Sequence, residues 1–286
     1  MFDRGAAAFA AVAPEAPIGL YACPLCLRGF TRDETAPGRA LTIEHVPPQG
    51  LGGREMCLTC RGCNSISGSA LDAHMERHRT FVDFLAGVDT RDIRATFTVE
   101  GRQQRGVVRC ENGAYVLGGV LARDRPGIAA AMIDHLDQIV AEKATDWSLG
   151  ITFEDPWQQR RVNIGWLRAG YLAAFAALGY RYIAQPAFSA VRQQILRPDD
   201  DVVRLTVMLA RGDAPHTTRS ILLVEKPSEL RSVVVQMGRA VVLLPYIGCS
   251  AGAEIFTDLP LADAGSTDLH GQLLPWPDRA AFLLDT

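Results

Sequence analysis

The 286-residue chain has no apolar run near the roughly 20 residues that a membrane-crossing helix requires. A membrane partner is therefore not expected. It also lacks a basic surplus: 29 Lys and Arg against 32 Asp and Glu leave a net charge of −3. Proteins that bind nucleic acid usually show a basic face, so any such face here must be local. Lysine is nearly missing, with only Lys143 and Lys226. Arginine carries the remaining positive charge, which reads as compositional bias and carries no functional weight. No internal repeat or low-complexity linker is visible. The Ala-rich stretch from Gly5 to Ala13 follows Asp3 and Arg4 and no basic run, so no secretion signal is expected. Hydrophobic residues at 48% and charged residues at 21% point to a packed globular protein of one large or two modest domains.

What the chain does have is cysteine in a pattern. Five of its seven cysteines (23, 26, 57, 60, 63, 110 and 249) fall within the first 63 residues. An odd, clustered set with Cys-x2-Cys spacing argues against a disulfide framework and for metal binding in a reducing cytoplasm. Cys23 with Cys26, and Cys60 with Cys63, form two knuckles. Zinc takes four thiolates in a tetrahedron at about 2.3 Å, and each such turn brings two sulfurs to one point. The 33 residues between the pairs exceed the roughly 15–20 of a simple ribbon. A further element must fit there, and the Glu44-His45 segment occupies the gap. Cys57 stands three before Cys60 and offers an alternative second pair. The 60/63 pair is preferred because Cys63 would then open the following helix.

A coarse pass places these residues. Residues 21–26 predict a strand entering a knuckle turn. Residues 41–46 predict a short strand ended by Pro47-Pro48, since proline cannot donate to a ladder. Gly50, Gly52 and Gly53 make a loop. A helix starts near Asn64, breaks near Gly68 and resumes over 71–85. There Leu71, Met75, His78, Val82 and Leu85 share one face. Alternation over 95–99 and 106–110 predicts a hairpin turning near Glu100-Gly101. Residues 126–144 read as an amphipathic helix, and 162–196 as two helices broken at Gly179 and Pro186. Short β-rich runs follow over 202–209, 220–224 and 233–246, before a turn-rich tail. His74 and His78 stand four apart, a metal-compatible spacing, but residue 75 is Met and the His-Glu-x-x-His pattern is not met.

Cys23-Pro24-Leu25-Cys26, Ile43-Glu44-His45-Val46-Pro47-Pro48, Leu51-Gly52-Gly53, Cys60-Arg61-Gly62-Cys63-Asn64 and Gly68-x2-Leu71-Asp72, in that order, resemble the HNH endonucleases, in particular a Cys-rich bacterial subgroup. The resemblance covers about residues 21–75. It implies a ββα-metal fold pinned by a structural zinc on Cys23, Cys26, Cys60 and Cys63. By the same resemblance His45 would be the general base on water, a task suited to imidazole near neutral pH. Glu44 and Asn64 would hold a catalytic divalent ion. A carboxylate with a carboxamide oxygen suits Mg²⁺ or Mn²⁺. The sequence departs from the family in two places. Glu44 stands where aspartate is more usual, and 54–57 lacks the asparagine that orients the base.

Residues 156–198 carry Arg160, Arg161, Arg168, Arg181, Arg192 and Arg197, no Asp or Glu, and interleaved Trp157, Trp166, Tyr171, Tyr180 and Tyr182. Arginines among aromatics can contact phosphates and stack on bases. Arg160, Arg161, Arg168 and Arg192 are the candidates for nucleic-acid contact. The expected architecture is α+β: a zinc-stapled ββα-metal module over 1–90, then a larger mixed α+β domain over 91–286. The expected activity is metal-dependent hydrolysis of phosphodiester bonds by a cytoplasmic endonuclease, in DNA on family grounds. Two rivals stand beside it. One is a zinc-fixed nucleic-acid-binding module with a degraded catalytic site. The other is a regulatory or interaction protein in which the zinc module is a structural cap.

Overall fold

The computed structural model describes residues 1–88, 91–118, 126–143, 145–154, 157–203, 207–210, 214–251 and 268–285. The chain opens with α1 (Phe2–Val12), which turns Phe2, Ala6 and Ala8 inward. β1 (Tyr21–Ala22) pairs with β2 (Gly29–Phe30), and β3 (Leu41–Val46) pairs antiparallel with β4 (Arg54–Cys60). The β3–β4 loop turns at Gly52 (φ 76°). Gly53 follows, where a Cβ would collide with the Pro47 carbonyl. β4 runs straight into α2 (Arg61–Ser67), so a ββα succession forms as expected. The break anticipated near Gly68 is one wider π-type turn over Gly68–Asp72, and α3 (Ala73–Leu85) continues from it.

Next come β5 (Ile93–Val99), β6 (Arg102–Glu111), β7 (Ala114–Gly118), α4 (Pro126–Ala141) and β8 (Leu149–Phe153). The four strands form an antiparallel sheet in the order β7-β6-β5-β8. β5 and β6 turn at Glu100 (φ 46°) and Gly101 (φ 78°). Two successive positive-φ residues are the requirement of a type I′ hairpin turn. β5 alternates its burial, with Ala95 and Phe97 packed near Phe84 and Val108, and Val99 near Met132 and Ile139 of α4.

The remainder holds α5 (Gln159–Leu178), α6 (Tyr180–Ile183), α7 (Phe188–Leu196), β9 (Val207–Leu209), β10 (Arg219–Lys226), β11 (Ser232–Met237), β12 (Ala240–Pro245) and β13 (His270–Leu274). The strands make a five-stranded antiparallel sheet in the order β13-β10-β11-β12-β9. α5 is buried continuously from Leu167 to Leu178. A helix that is apolar all round belongs in a core, and α5 lies against β11 and β12 and also against β3, β4 and the 68–72 turn. Gly170 permits the first approach, since a Cβ there would press into Val242. Buried tyrosines tie the first knuckle in place. The Tyr171 hydroxyl donates to Pro24 O (2.6 Å), that of Tyr180 to Ala22 O (2.5 Å), and that of Tyr21 to Leu58 O (2.7 Å).

The fold is mixed α+β, as expected. The expected division into 1–90 and 91–286 is corrected. The compact units are 1–76 together with 158–286, and 77–157, so the dividing point falls inside α3. The reason lies in the core. Tyr21, Leu41, Met56 and Leu58 of the cysteine module share one hydrophobic cluster with Phe175, Val233 and Val242. The module therefore buries its inner face on the C-terminal helix and sheet. Among the described residues no helix is long and apolar enough to cross a membrane.

Candidate metal centre and adjoining cleft

The two knuckles meet. Sγ atoms of Cys23, Cys26, Cys60 and Cys63 all lie within 4.8 Å of one another, the one such cluster of metal-ligating side chains among the described residues. Cys26 Sγ and Cys60 Sγ are 3.7 Å apart. A tetrahedron with metal–sulfur bonds of about 2.3 Å has an edge of about 3.8 Å, so this spacing suits a structural metal such as zinc. Backbone amides point at the sulfurs: Cys60 N donates to Cys23 Sγ (3.3 Å), and Cys63 N donates to Cys60 Sγ (3.5 Å). Cys60 is the N-cap of α2, so one sulfur both faces the cluster and satisfies an otherwise unpaired helix amide. The thiols share protons. Cys26 is lowered to about 6 and Cys60 to about 4, each chiefly by its hydrogen bond with Cys23, while Cys23 is driven up chiefly by its bond with Cys26. Two of the four sulfurs thus lean toward the thiolate, the form that binds a cation. Cys57 is not part of it. It is buried on β4 opposite Glu44, and burial pushes its thiol up.

Beside the centre lies a cleft of about 470 Å³ lined by Ile43, Glu44, His45, Pro48, Gln49, Gly50, Asn64, Asp72 and Glu76. Adjacent residues of a strand ordinarily face opposite sides, yet Glu44 and His45 both line it. The β3–β4 register slips between them, with Glu44 opposite Cys57 and His45 opposite Glu55, leaving Met56 as the extra residue. The extra residue lies on β4, facing the Glu44-His45 step, and a bulge bends the strand that carries it. Asn64 reaches the cleft from the first turns of α2, Asp72 from the π-type turn, and Glu76 from α3.

Hydrogen bonding assigns the free oxygens. Glu44 is 4% exposed. Its Oε2 accepts from Thr59 Oγ1 (2.9 Å) and lies 2.7 Å from Arg168 Nη2, and its Oε1 makes no hydrogen bond among the described residues. Asn64 Nδ2 donates to Thr42 Oγ1 (3.0 Å), which leaves Oδ1 without a hydrogen bond. His45 is half-buried and has no side-chain hydrogen bond among the described residues, so its ring has no orienting partner there. Asp72 is pushed up to about 6. Burial is the main cause, Arg168 opposes it, and Glu44 and Glu76 add to it. The Arg168 guanidinium thus meets two of the cleft's three carboxylates, those of Glu44 and Asp72, and Glu76 adds a third acidic group to the lining. Glu44 Oε1 and Asn64 Oδ1 are the oxygens of these two residues that make no hydrogen bond among the described residues. Unlike the cysteines, the cleft's acids and His45 do not converge on one point.

The arginines expected at a nucleic-acid surface are otherwise engaged. Arg168 is 1% exposed and pairs with Glu44 and Asp72 (3.3 Å), so it offers nothing to an external strand and that expectation is corrected. Arg160 bonds to Pro198 O and Asp201, Arg161 to Asp199 and Ala70 O, and Arg192 to Ile183 O. The acids that pair with Arg160 and Arg161 begin at Asp199, immediately past the segment that had none. Its tyrosines 171, 180 and 182 are buried core residues. His74 accepts from Gln158 N (3.1 Å), and His78 packs edge-on to Trp157, where burial lowers its basicity.

Asp72 and Arg168 are the site residues whose place was not evident from the sequence alone. Spacing signals Asp72 weakly, through Leu71-Asp72, and nothing local signals Arg168. No family model, no curated protein and no solved structure matches the chain.

Proposed function

We propose that the chain is a metal-dependent endonuclease that hydrolyses phosphodiester bonds, with DNA as its substrate. One observation carries this reading: the cleft beside the four-cysteine centre brings His45 together with the unpaired oxygens of Glu44 and Asn64. These are the three residues that the HNH resemblance marks as base and ion ligands. Glu44 and His45 come from β3 and Asn64 from α2, two separate local structures that line one cleft.

In this reading zinc on Cys23, Cys26, Cys60 and Cys63 is structural, with all four positions filled by protein. Glu44 and Asn64 would hold Mg²⁺ or Mn²⁺, whose chemistry when bound is to stabilise charge on the scissile phosphate and the leaving oxygen. His45 accepts the proton of the attacking water. An acidic cleft repels a phosphodiester, so binding itself requires the cation. That electrostatic argument makes activity metal-dependent on grounds separate from the resemblance.

The test is plasmid cleavage with and without Mg²⁺ or Mn²⁺, comparing wild type with His45→Ala, and zinc measured in both by elemental analysis. Cleavage by wild type alone, at equal zinc content, supports the reading. DNA retention without cleavage by a zinc-loaded wild type would favour the binding-module rival, for which the unpartnered His45 is the specific observation.

A further inference from the structure

Resting on the metal-dependent reading of this cleft, we infer that Arg168 is a positioning residue that presents Glu44 to the cation. Arg168 sits on α5, within its continuously buried stretch, and is 1% exposed. Its guanidinium stands between two carboxylates of the cleft, with Nη2 2.7 Å from Glu44 Oε2 and Nη1 3.3 Å from Asp72 Oδ1. Thr59 Oγ1 donates to the same Glu44 oxygen at 2.9 Å. Both partners therefore hold Oε2, and Oε1 is left toward the cleft. A carboxylate held by one oxygen has a defined rotamer. Ligand-orienting partners of this kind commonly set metal affinity.

Stability alone does not account for the residue. Arg168 Nε has no acceptor, and Nη2 meets Glu44 off the hydrogen-bond direction, so the buried guanidinium is incompletely satisfied. A buried ion pair of that quality is commonly matched or bettered by apolar side chains of the same volume. What an apolar side chain cannot do is hold two carboxylates at a fixed separation. Lysine cannot do it either, since its ammonium is a point charge without the planar fork.

Two opposite expectations make the inference testable. If Arg168 acts only as a nearby positive charge, it competes with the cation, and weakening it leaves Mn²⁺ binding unchanged or tighter. If it positions Glu44, weakening the fork loosens Mn²⁺ binding. The experiment is Mn²⁺ titration of the full chain without DNA, by calorimetry or the loss of free-ion paramagnetic resonance signal, on wild type, Arg168→Lys and Thr59→Val. Zinc content is measured on the same samples to report that the cysteine module is intact. The inference expects Arg168→Lys to raise the Mn²⁺ dissociation constant about 10- to 100-fold at unchanged zinc content, and Thr59→Val to raise it severalfold. Equal or tighter binding by zinc-loaded Arg168→Lys overturns it. Should Arg168→Lys lose zinc, Thr59→Val decides: unchanged affinity overturns the inference, and weaker binding sustains it. Wild type that takes up no Mn²⁺ overturns both this role and the metal-dependent reading. Wild type that binds Mn²⁺ as described, but cuts no nucleic acid, removes the nuclease reading alone.

Discussion

Stripping the metal from the four-cysteine centre should unfold one unit of the protein and spare the other. Three of the four cysteines, 23, 60 and 63, are buried in the main core cluster beside Tyr21, Leu41 and Leu58. Thiolate charge there has no water to stabilise it. The available compensation is the cation and two backbone amides, at 3.3 and 3.5 Å. Structural zinc binding supplies about 10–16 kcal/mol in small domains near neutral pH. That equals or exceeds the roughly 5–15 kcal/mol by which whole domains are stable. Chelation should therefore take residues 1–76 and 158–286 below the folding threshold at 25 °C. The unit over 77–157 rests on Phe84, Ala95, Phe97 and Val108, and on Val99, Met132 and Ile139, with no ligand cysteine among them. It should persist. The assay is limited proteolysis and thermal melting before and after chelation, with zinc followed by elemental analysis. The expected result is a resistant fragment beginning near residue 77 and loss of the remainder. A zinc-free protein that melts within a degree or two of the loaded form would falsify the reasoning.

Other outcomes follow from single contacts. Asp72 has its folded pKa at about 6 against an ordinary 3.8, so folding favours its protonated form. Its contribution is complete below about pH 4 and is lost as pH rises through 6, at a cost of about 3 kcal/mol. Asp72→Asn should flatten the fall in urea midpoint between those pH values in metal-free cleft conditions, and an unchanged slope refutes the assignment. Gly53→Ala places a Cβ against the Pro47 carbonyl. It should destabilise the protein by about 1–3 kcal/mol, read from the denaturant midpoint, and a neutral result would show that the loop relaxes freely. Gln158 N bonds to His74 Nδ1, so the chain ends flanking 77–157 lie side by side. Replacing 78–156 with a short Gly-Ser linker should leave a protein that still binds one zinc, and failure to retain zinc would show that the inserted unit is needed for folding.

Local chemistry was legible in the sequence, and distant packing was not. The knuckles could be read because two residues between cysteines fix the turn by themselves. The Glu100-Gly101 hairpin could be read because two alternating runs flank a glycine, while the positive φ of Glu100 has no signal in its residue type. The broken helix after Gly68 was visible as an irregularity, though its pitch change was not. The unit boundary was misplaced because α5 and the five-stranded sheet belong with the cysteine module. That association rests on contacts such as Gly170 against Val242 and Tyr171 against Pro24, which no window of sequence contains. The run of arginines and tyrosines over 156–198 looked like a surface for nucleic acid. Its tyrosines are core, and two of its arginines pair with acids that begin one residue past its end.

The cleft shows the same division at finer scale. His45, Glu44 and Asn64 were picked out by a motif, and the motif says which residue types matter without saying which atoms are free. Strict strand alternation would have put Glu44 and His45 on opposite faces. Yet both line the cleft, as does Ile43 before them, at the point where the register slips by Met56 on the facing strand. The same holds for the atoms proposed as ion ligands. Asn64 offers its oxygen because Thr42 takes its amide nitrogen, and Glu44 offers Oε1 because Thr59 and Arg168 take Oε2. Arg168 lies 96 residues from Asp72, beyond any spacing rule, and its burial next to two carboxylates is what turns a basic residue from a surface candidate into part of the cleft's support. The positions proposed to carry the chemistry are thus set by short-range sequence. Their usable geometry is set by the helix that arrives after the inserted unit, which ties the chemistry proposed for residues 44–64 to the folding of residues 158–286.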